Sequence, residues 1–584
     1  MCCSNKAVDV IEPESKNKAN KNKNNKESEE IDNEINNEIN NNINNSQNNN
    51  SPMLSNNENE NGNRNYENQE DDNEMQDYSF YNLKELLEKG DMAISLEKYK
   101  EAAKIFQTMI QKFPDDVLGY MNMGKVYMKM KAYSNALDMY NKSMLLDKSK
   151  LDIYVNKGVC QFNLKQYKEA IETYDRGLQL FPKEYTLYLN KGVALNHLKK
   201  YHEAINVFKQ GLMNKKDASL YNNLAIAYFR LKEYLKSIEY YDEAIILNPK
   251  DYLQLNNKGV ALKNLEQYDE AITCFNQAIK LNPNDPISYY NKANTLKVME
   301  RREEALEQFD LALNYDNKYI SAYYNKGVTL SDLNRHSEAI QNFDICIELN
   351  PKHQFAYLNK GISLDCMKKY EEALQQFDKV LEINPELGDA YINKGITLSN
   401  MGKYEEAIYN YDYAIKYNKN LSASYNNKGV CLYKLGKYTE ALDSYTAALK
   451  IEPKYLDAYI NRGDCYKTQK KYSDALNEYD RAIKIKPEYA KAYYSKGLVY
   501  KLLKGEEDLK LALENFDLAI QYKPNSSEIY YEKGNVQMSL GDYANAIDSF
   551  NKCKGFDSEQ TQKCNDKINE CNDAINNLVK NENK

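Results

Sequence analysis

The chain has 584 residues, with 78 Lys+Arg against 86 Asp+Glu, 52 Tyr and no Trp. Residues 1–77 carry 7 basic and 17 acidic side chains, which leaves 71 against 69 for the rest. So neutral a body excludes nucleic acid as the expected main ligand, because gripping phosphates needs a basic surface.

The chain opens Met1-Cys2-Cys3-Ser4, followed by Lys6, Lys16, Lys18, Lys21, Lys23 and Lys26. Two acyl chains, or one beside basic residues, suffice to hold a protein on a membrane. Cys2 and Cys3 are therefore acylation candidates, and a membrane surface is an expected contact of this tip. Residues 4–77 are poor in apolar side chains, and 25 of the first 77 residues are Asn. Such a segment cannot bury enough surface to offset its ordering entropy, so 1–77 is expected to be a disordered tail. No secretory leader and no bilayer-spanning apolar run is seen, so the expected location is the cytoplasm, with or without a membrane tether.

From about residue 83 a small residue recurs every 34 positions, as at Gly90, Gly124, Gly158 and Gly192, with one 33-residue step into Ala225 and one 37-residue step into Gly534. A large residue, mostly Tyr, stands four places earlier, as Tyr120 and Tyr154 do. Ala follows twelve places later (Ala136, Ala170, Ala204) and an aromatic sixteen places later (Phe106, Tyr140, Tyr174, Phe208). Pro114, Pro182, Pro249 and Pro283 punctuate the unit ends. Apolar positions recur at helical spacing in both halves, which predicts two antiparallel helices per unit. Pro cannot continue a helix, and the small residue lets a neighbouring helix approach. The 37-residue unit is expected to lengthen a turn around Gly505-Glu506-Glu507-Asp508. Past residue 558, Cys564, Ile568, Cys571, Ile575 and Leu578 lie on one helical face, and 558–580 is expected to be a capping helix.

This register resembles the tetratricopeptide repeat (TPR) family over residues 83–557. The resemblance implies an all-α, right-handed superhelical solenoid of about fourteen helix-turn-helix repeats with a C-terminal cap. It departs from the family in carrying Tyr or Leu where Trp is preferred, and Lys (Lys157, Lys191, Lys258, Lys292, Lys326) just before the Gly, where Leu is usual. A Lys stem can lie along apolar surface with its charge in water.

Two residues before the small residue stands an Asn in eleven consecutive units: Asn122, Asn156, Asn190, Asn223, Asn257, Asn291, Asn325, Asn359, Asn393, Asn427 and Asn461. An amide offers both donors and an acceptor, so such a row can pair with the backbone of an extended peptide. The row resembles the asparagine ladder in the superhelical TPR domain of the O-linked N-acetylglucosamine transferase, where the ladder holds substrate peptides; this chain has no counterpart of that enzyme's catalytic domain. The same amides could instead bridge neighbouring helices. TPR co-chaperones that clamp a C-terminal carboxylate need Lys three places before the Gly, where this chain has Met121, Val155, Leu189 and Asn222.

No Gly-rich phosphate loop or Ser/Cys–His constellation appears. The eleven Cys show no disulfide spacing; Cys160, Cys431 and Cys465 read as reduced core thiols, and the four His have no metal-ligand spacing. The expected protein is therefore not an enzyme and needs no cofactor or metal. It is a scaffold that binds proteins or peptide segments along a concave face, with no small-molecule substrate. The alternatives are a structural subunit of a larger TPR-rich assembly, of the ciliary-transport or ubiquitin-ligase type, and a targeting subunit for a separate transferase.

Overall fold

The structure is a computed structural model that describes residues 78–418, 421–556 and 560–582, with side chains to residue 577. The tail and the Cys2-Cys3 tip lie outside the described residues. Among those described there are 29 helices and no strand. Odd-numbered helices from α1 (Leu83–Ser95) to α27 (Ser527–Ser539) are the first helices of hairpins, and even-numbered ones from α2 (Tyr99–Lys112) to α28 (Tyr543–Phe556) the second. The last helix is α29 (Thr561–Glu582).

The chain divides into two compact units, one reaching to Ala322 and the other beginning at Tyr323, inside helix α15 (Ile320–Asp332). Within each, every hairpin packs on its neighbours in chain order. The core of a hairpin is the ring sixteen places after the Gly, pressed on that Gly. Tyr140, Tyr174, Phe208, Phe275, Tyr445 and Phe550 are all buried. A Cβ on Gly158 would sit 2.2 Å from Tyr174, and one on Gly192 2.2 Å from Phe208. Burying each ring stabilises its hairpin by about 1.5–3 kcal/mol. Where the small residue is Ala225, the usual Ala twelve places on is Ser237, whose hydroxyl donates to the Ala225 carbonyl at 2.9 Å.

Each turn from first to second helix is closed by one left-handed residue seven places after the Gly. Gly fills it at Gly402, Gly436 and Gly541, with φ of 75–80°. Elsewhere it is a residue with a side chain, such as Lys165 (φ 60°), Lys199 (φ 59°) or Glu266 (φ 61°). First helices begin with side-chain caps where the sequence supplies them: Asp116, Asp217, Asp251 and Asp285 accept from backbone N–H groups two or three residues on.

The 37-residue unit corrects one expectation. The extra residues do not lengthen the turn. They extend α25 (Ala490–Leu503) to 14 residues and α26 (Glu506–Tyr522) to 17, while Lys504 and Gly505 alone make the turn. Glu506, Glu507 and Asp508 suit a helix start, where the exposed N–H groups favour negative charge. At the other end, Cys564 and Cys571 of α29 are buried against Cys553 and Phe550, with Ile568 packed alongside. Three residues of the apolar face read from the sequence, Cys564, Ile568 and Cys571, are thus packed, and the Leu578 side chain lies outside the described residues.

Candidate peptide-binding face

First helices of successive hairpins touch one another. In the first unit α5 (Leu151–Asn163) meets α7 (Tyr185–His197), which meets α9 (Ala218–Arg230). In the second, α17 (Gln354–Cys366), α19 (Gly388–Asn400), α21 (Ser422–Lys434), α23 (Leu456–Thr468) and α25 form an unbroken series.

The eleven ladder residues all lie on first helices, and none is exposed. Asn122, Asn190, Asn223, Asn257, Asn291, Asn325 and Asn461 are buried, and Asn156, Asn359, Asn393 and Asn427 are half-buried. Three reach back to the preceding first helix, to the residue three places before its Gly. Asn291 Nδ2 donates to Asn256 Oδ1 at 3.1 Å, Asn461 Nδ2 to Asn426 Oδ1 at 2.9 Å, and Asn359 Nδ2 to the Tyr324 hydroxyl at 2.9 Å. Three bond within their own helix: Asn223 Nδ2 to the Ser219 carbonyl at 2.9 Å, Asn393 Nδ2 to the Asp389 carbonyl at 2.8 Å, and Asn359 Nδ2 also to the Phe355 carbonyl at 3.1 Å. Asn223 Oδ1 is buried without a partner, as are the Oδ1 atoms of Asn196 and Asn222 and Gln254 Oε1 nearby in sequence. Such atoms cost free energy until something donates to them. Ladder amides are thus of two kinds: Asn291, Asn359 and Asn461 are bonded to the preceding helix, while Asn223 keeps a buried oxygen with no donor. The bridging role of Asn256, Tyr324 and Asn426 had one signal in the sequence, a polar or hydroxylated residue 35 places before a ladder Asn.

The Lys before the Gly has a partner that sequence reasoning missed. It bridges to an Asp directly after the core aromatic of the preceding hairpin: Lys191–Asp175, Lys258–Asp242 and Lys394–Asp378 at 2.5 Å, Lys360–Asp344 and Lys428–Asp412 at 2.6 Å, Lys496–Asp480 at 2.7 Å. Lys157 and Lys292 follow hairpins that carry Asn141 and Asn276 at that place. Burial, unrelieved by a bridge, pushes both ammonium groups below the ordinary lysine range; Arg176 adds to this at Lys157.

The candidate thiols are inert. Cys160, Cys431 and Cys465 are fully buried, and burial pushes their thiols up to about 12, about 11 and about 11. His197 is stacked on Tyr167 at 5.3 Å, and burial lowers its pKa, so it is neutral packing rather than a ligand. Among the described residues no group of His, Cys, Asp or Glu is arranged to hold a metal, and no helix is long and apolar enough to cross a membrane.

Family profiles described as tetratricopeptide repeat match 151–184, 218–251, 252–285, 320–353, 355–387 and 422–455; others so described match 119–150, 185–217, 274–307, 377–409 and 527–560, and one described as TPR repeat matches 463–504. The chain belongs to the tetratricopeptide repeat family. No curated protein sequence matches it significantly. Similar solved structures include the APC/C hetero-tetramer Cut9-Hcn1, at 16% identity and TM-score 0.41, covering 84% of this chain and 97% of that one. Yeast Tom70 aligns at 18% identity and TM-score 0.34 over 76% of this chain and 96% of that one. YrrB, a TPR protein with an unusual peptide-binding site, aligns at 28% identity and TM-score 0.28 over 33% of this chain and 98% of that one.

Proposed function

We propose that the chain is a non-enzymatic scaffold that binds extended peptide segments along its first-helix face, with ladder amides pairing to the peptide backbone. The observation that carries this is an Asn at one register in eleven consecutive repeats, on a face where Asn223 Oδ1 and its neighbours lack donors. Partners supply the sequence information elsewhere, since an amide pairs with any backbone. A tether through acylated Cys2 and Cys3 would place the scaffold at a membrane; a Cys2→Ser/Cys3→Ser variant that partitions with membranes as the parent does would remove that part.

A second reading is a structural subunit of a larger assembly. It draws on the bonds of Asn291, Asn359 and Asn461, which couple one first helix to the next without any ligand. The two readings part on amides outside those bridges. Replacing Asn156, Asn190, Asn257, Asn393 and Asn427 with Ala and measuring peptide or partner affinity separates them: binding falls in the first reading and is unchanged in the second.

A further inference from the structure

The hairpin formed by α19 and α20 (Tyr404–Tyr417) departs from the repeat at two surface places. Two residues before the core aromatic, other hairpins carry a charged or polar residue, for instance Gln375 before it and Asp443 after it; this hairpin carries Tyr409. Eighteen residues after the Gly no other hairpin has an aromatic; this one has Tyr413. The two lie one turn apart on α20, with ring centroids 4.8 Å apart and the Tyr409 hydroxyl donating to that of Tyr413 at 3.0 Å. Tyr413 in turn stacks on Tyr391 at 5.2 Å and 18°. Tyr409 remains 61% exposed, held only by its contact with Tyr413.

Beside these rings a shallow, open cleft of about 610 Å³ is lined by Tyr391, Tyr409, Tyr413, Lys394, Glu405 and Glu406, with Leu398 and Asn410 completing it. Lys394 is already bridged to Asp378 at 2.5 Å. Glu405 and Glu406 are exposed and make no ion pair among the described residues. The negative faces of tyrosine rings attract cations, and Lys416 already lies 5.5 Å from the Tyr413 centroid and 5.3 Å from that of Tyr417. The exposed Tyr409 ring and two carboxylates without an ion pair complement one kind of group. A guanidinium is flat enough to stack on a ring and forks to carboxylates in its own plane.

We propose that this cleft is a docking site for an arginine side chain presented by a segment of a partner protein. The site lies on the rings and carboxylates of one hairpin and uses no ladder amide, so it does not depend on the ladder reading.

The test uses the full chain and a fluorescein-labelled acetyl-(Gly-Arg)4 peptide, with anisotropy read at about 0.1 M salt, where exposed charges are screened beyond their neighbours. Comparison peptides replace Arg with Lys or with neutral citrulline. Variants are Tyr409→Gln/Tyr413→Gln, residues that other hairpins carry at these places, and Glu405→Gln/Glu406→Gln. The expected result is affinity weakened by about tenfold or more in both variants and for both comparison peptides, with unchanged melting. The five-Ala ladder variant should bind the arginine peptide as the parent does, whatever becomes of its other binding. Equal affinity of parent and both variants overturns the proposal, including the case in which the acidic residues before position 78 hold the peptide. Equal binding of the citrulline peptide overturns it as well.

Discussion

Gly192 is glycine because Phe208 occupies the space a Cβ would need, at 2.2 Å. Gly192→Ala should therefore lower stability by about 1–3 kcal/mol, the usual penalty of overpacking. The check is the urea midpoint of the transition that contains this hairpin, since a repeat array need not unfold in one step. An unchanged midpoint would mean the ring moves aside freely, as the chain itself manages at Ala225 and Ala293. The buried lysines allow a second test. Lys292 has a folded pKa below its unfolded one, so in the window between the two the unfolded chain binds more protons. Stability should then rise with pH through the range just below the ordinary lysine value, and the penalty should be full below the depressed one. Asn276→Asp supplies the missing partner. It should raise the Lys292 pKa, flatten that rise and stabilise the fold by about 0.2–1 kcal/mol near neutral pH; lysine side-chain titration by NMR reads the shift directly. The glycine and its ring were legible from the sequence because both keep one register. The Lys–Asp bridge was not, because 16 residues is no helical period and the pair forms only after two hairpins stack.

At the scale of the helix, the left-handed turn residue is the weak point of most hairpins. Lys165 at φ 60° holds a conformation that costs an L-residue about 1–2 kcal/mol, while Gly402, Gly436 and Gly541 reach it without strain. Lys165→Gly should stabilise its hairpin by about 1 kcal/mol, less the extra freedom glycine gives the unfolded chain. Amide exchange in α5 and α6 (Tyr167–Leu180) should slow accordingly; faster exchange would show that the Lys side chain contributes more than its backbone costs. Helix positions, the register of the small residue and the packing of Cys564, Ile568 and Cys571 in α29 followed from apolar periodicity alone. The 37-residue unit did not. Gly505 with three acidic residues after it reads equally as a longer turn or a helix start, and the open helix N-terminus selected the second.

At the scale of the whole chain, the family and the all-α solenoid were readable because every hairpin repeats the same contacts. The site was readable only as a row. Counting Asn at one register placed a row of amides on the first helices but could not tell one bonded to Asn256 or Tyr324 from one without such a bond, since that depends on the residue 35 places away. The central claim is that ladder amides outside the inter-helix bridges hold a partner's backbone. Partners captured by residues 80–584 and identified by mass spectrometry supply the segment to be used. Its affinity is then measured by calorimetry against the parent chain and the variant with Asn156, Asn190, Asn257, Asn393 and Asn427 changed to Ala. Each amide lost removes hydrogen bonds worth about 0.5–1.5 kcal/mol, so the account predicts a loss of several kcal/mol in binding, short of strict additivity, with a melting transition close to the parent's. A folded variant that binds the segment with the parent's affinity would contradict it.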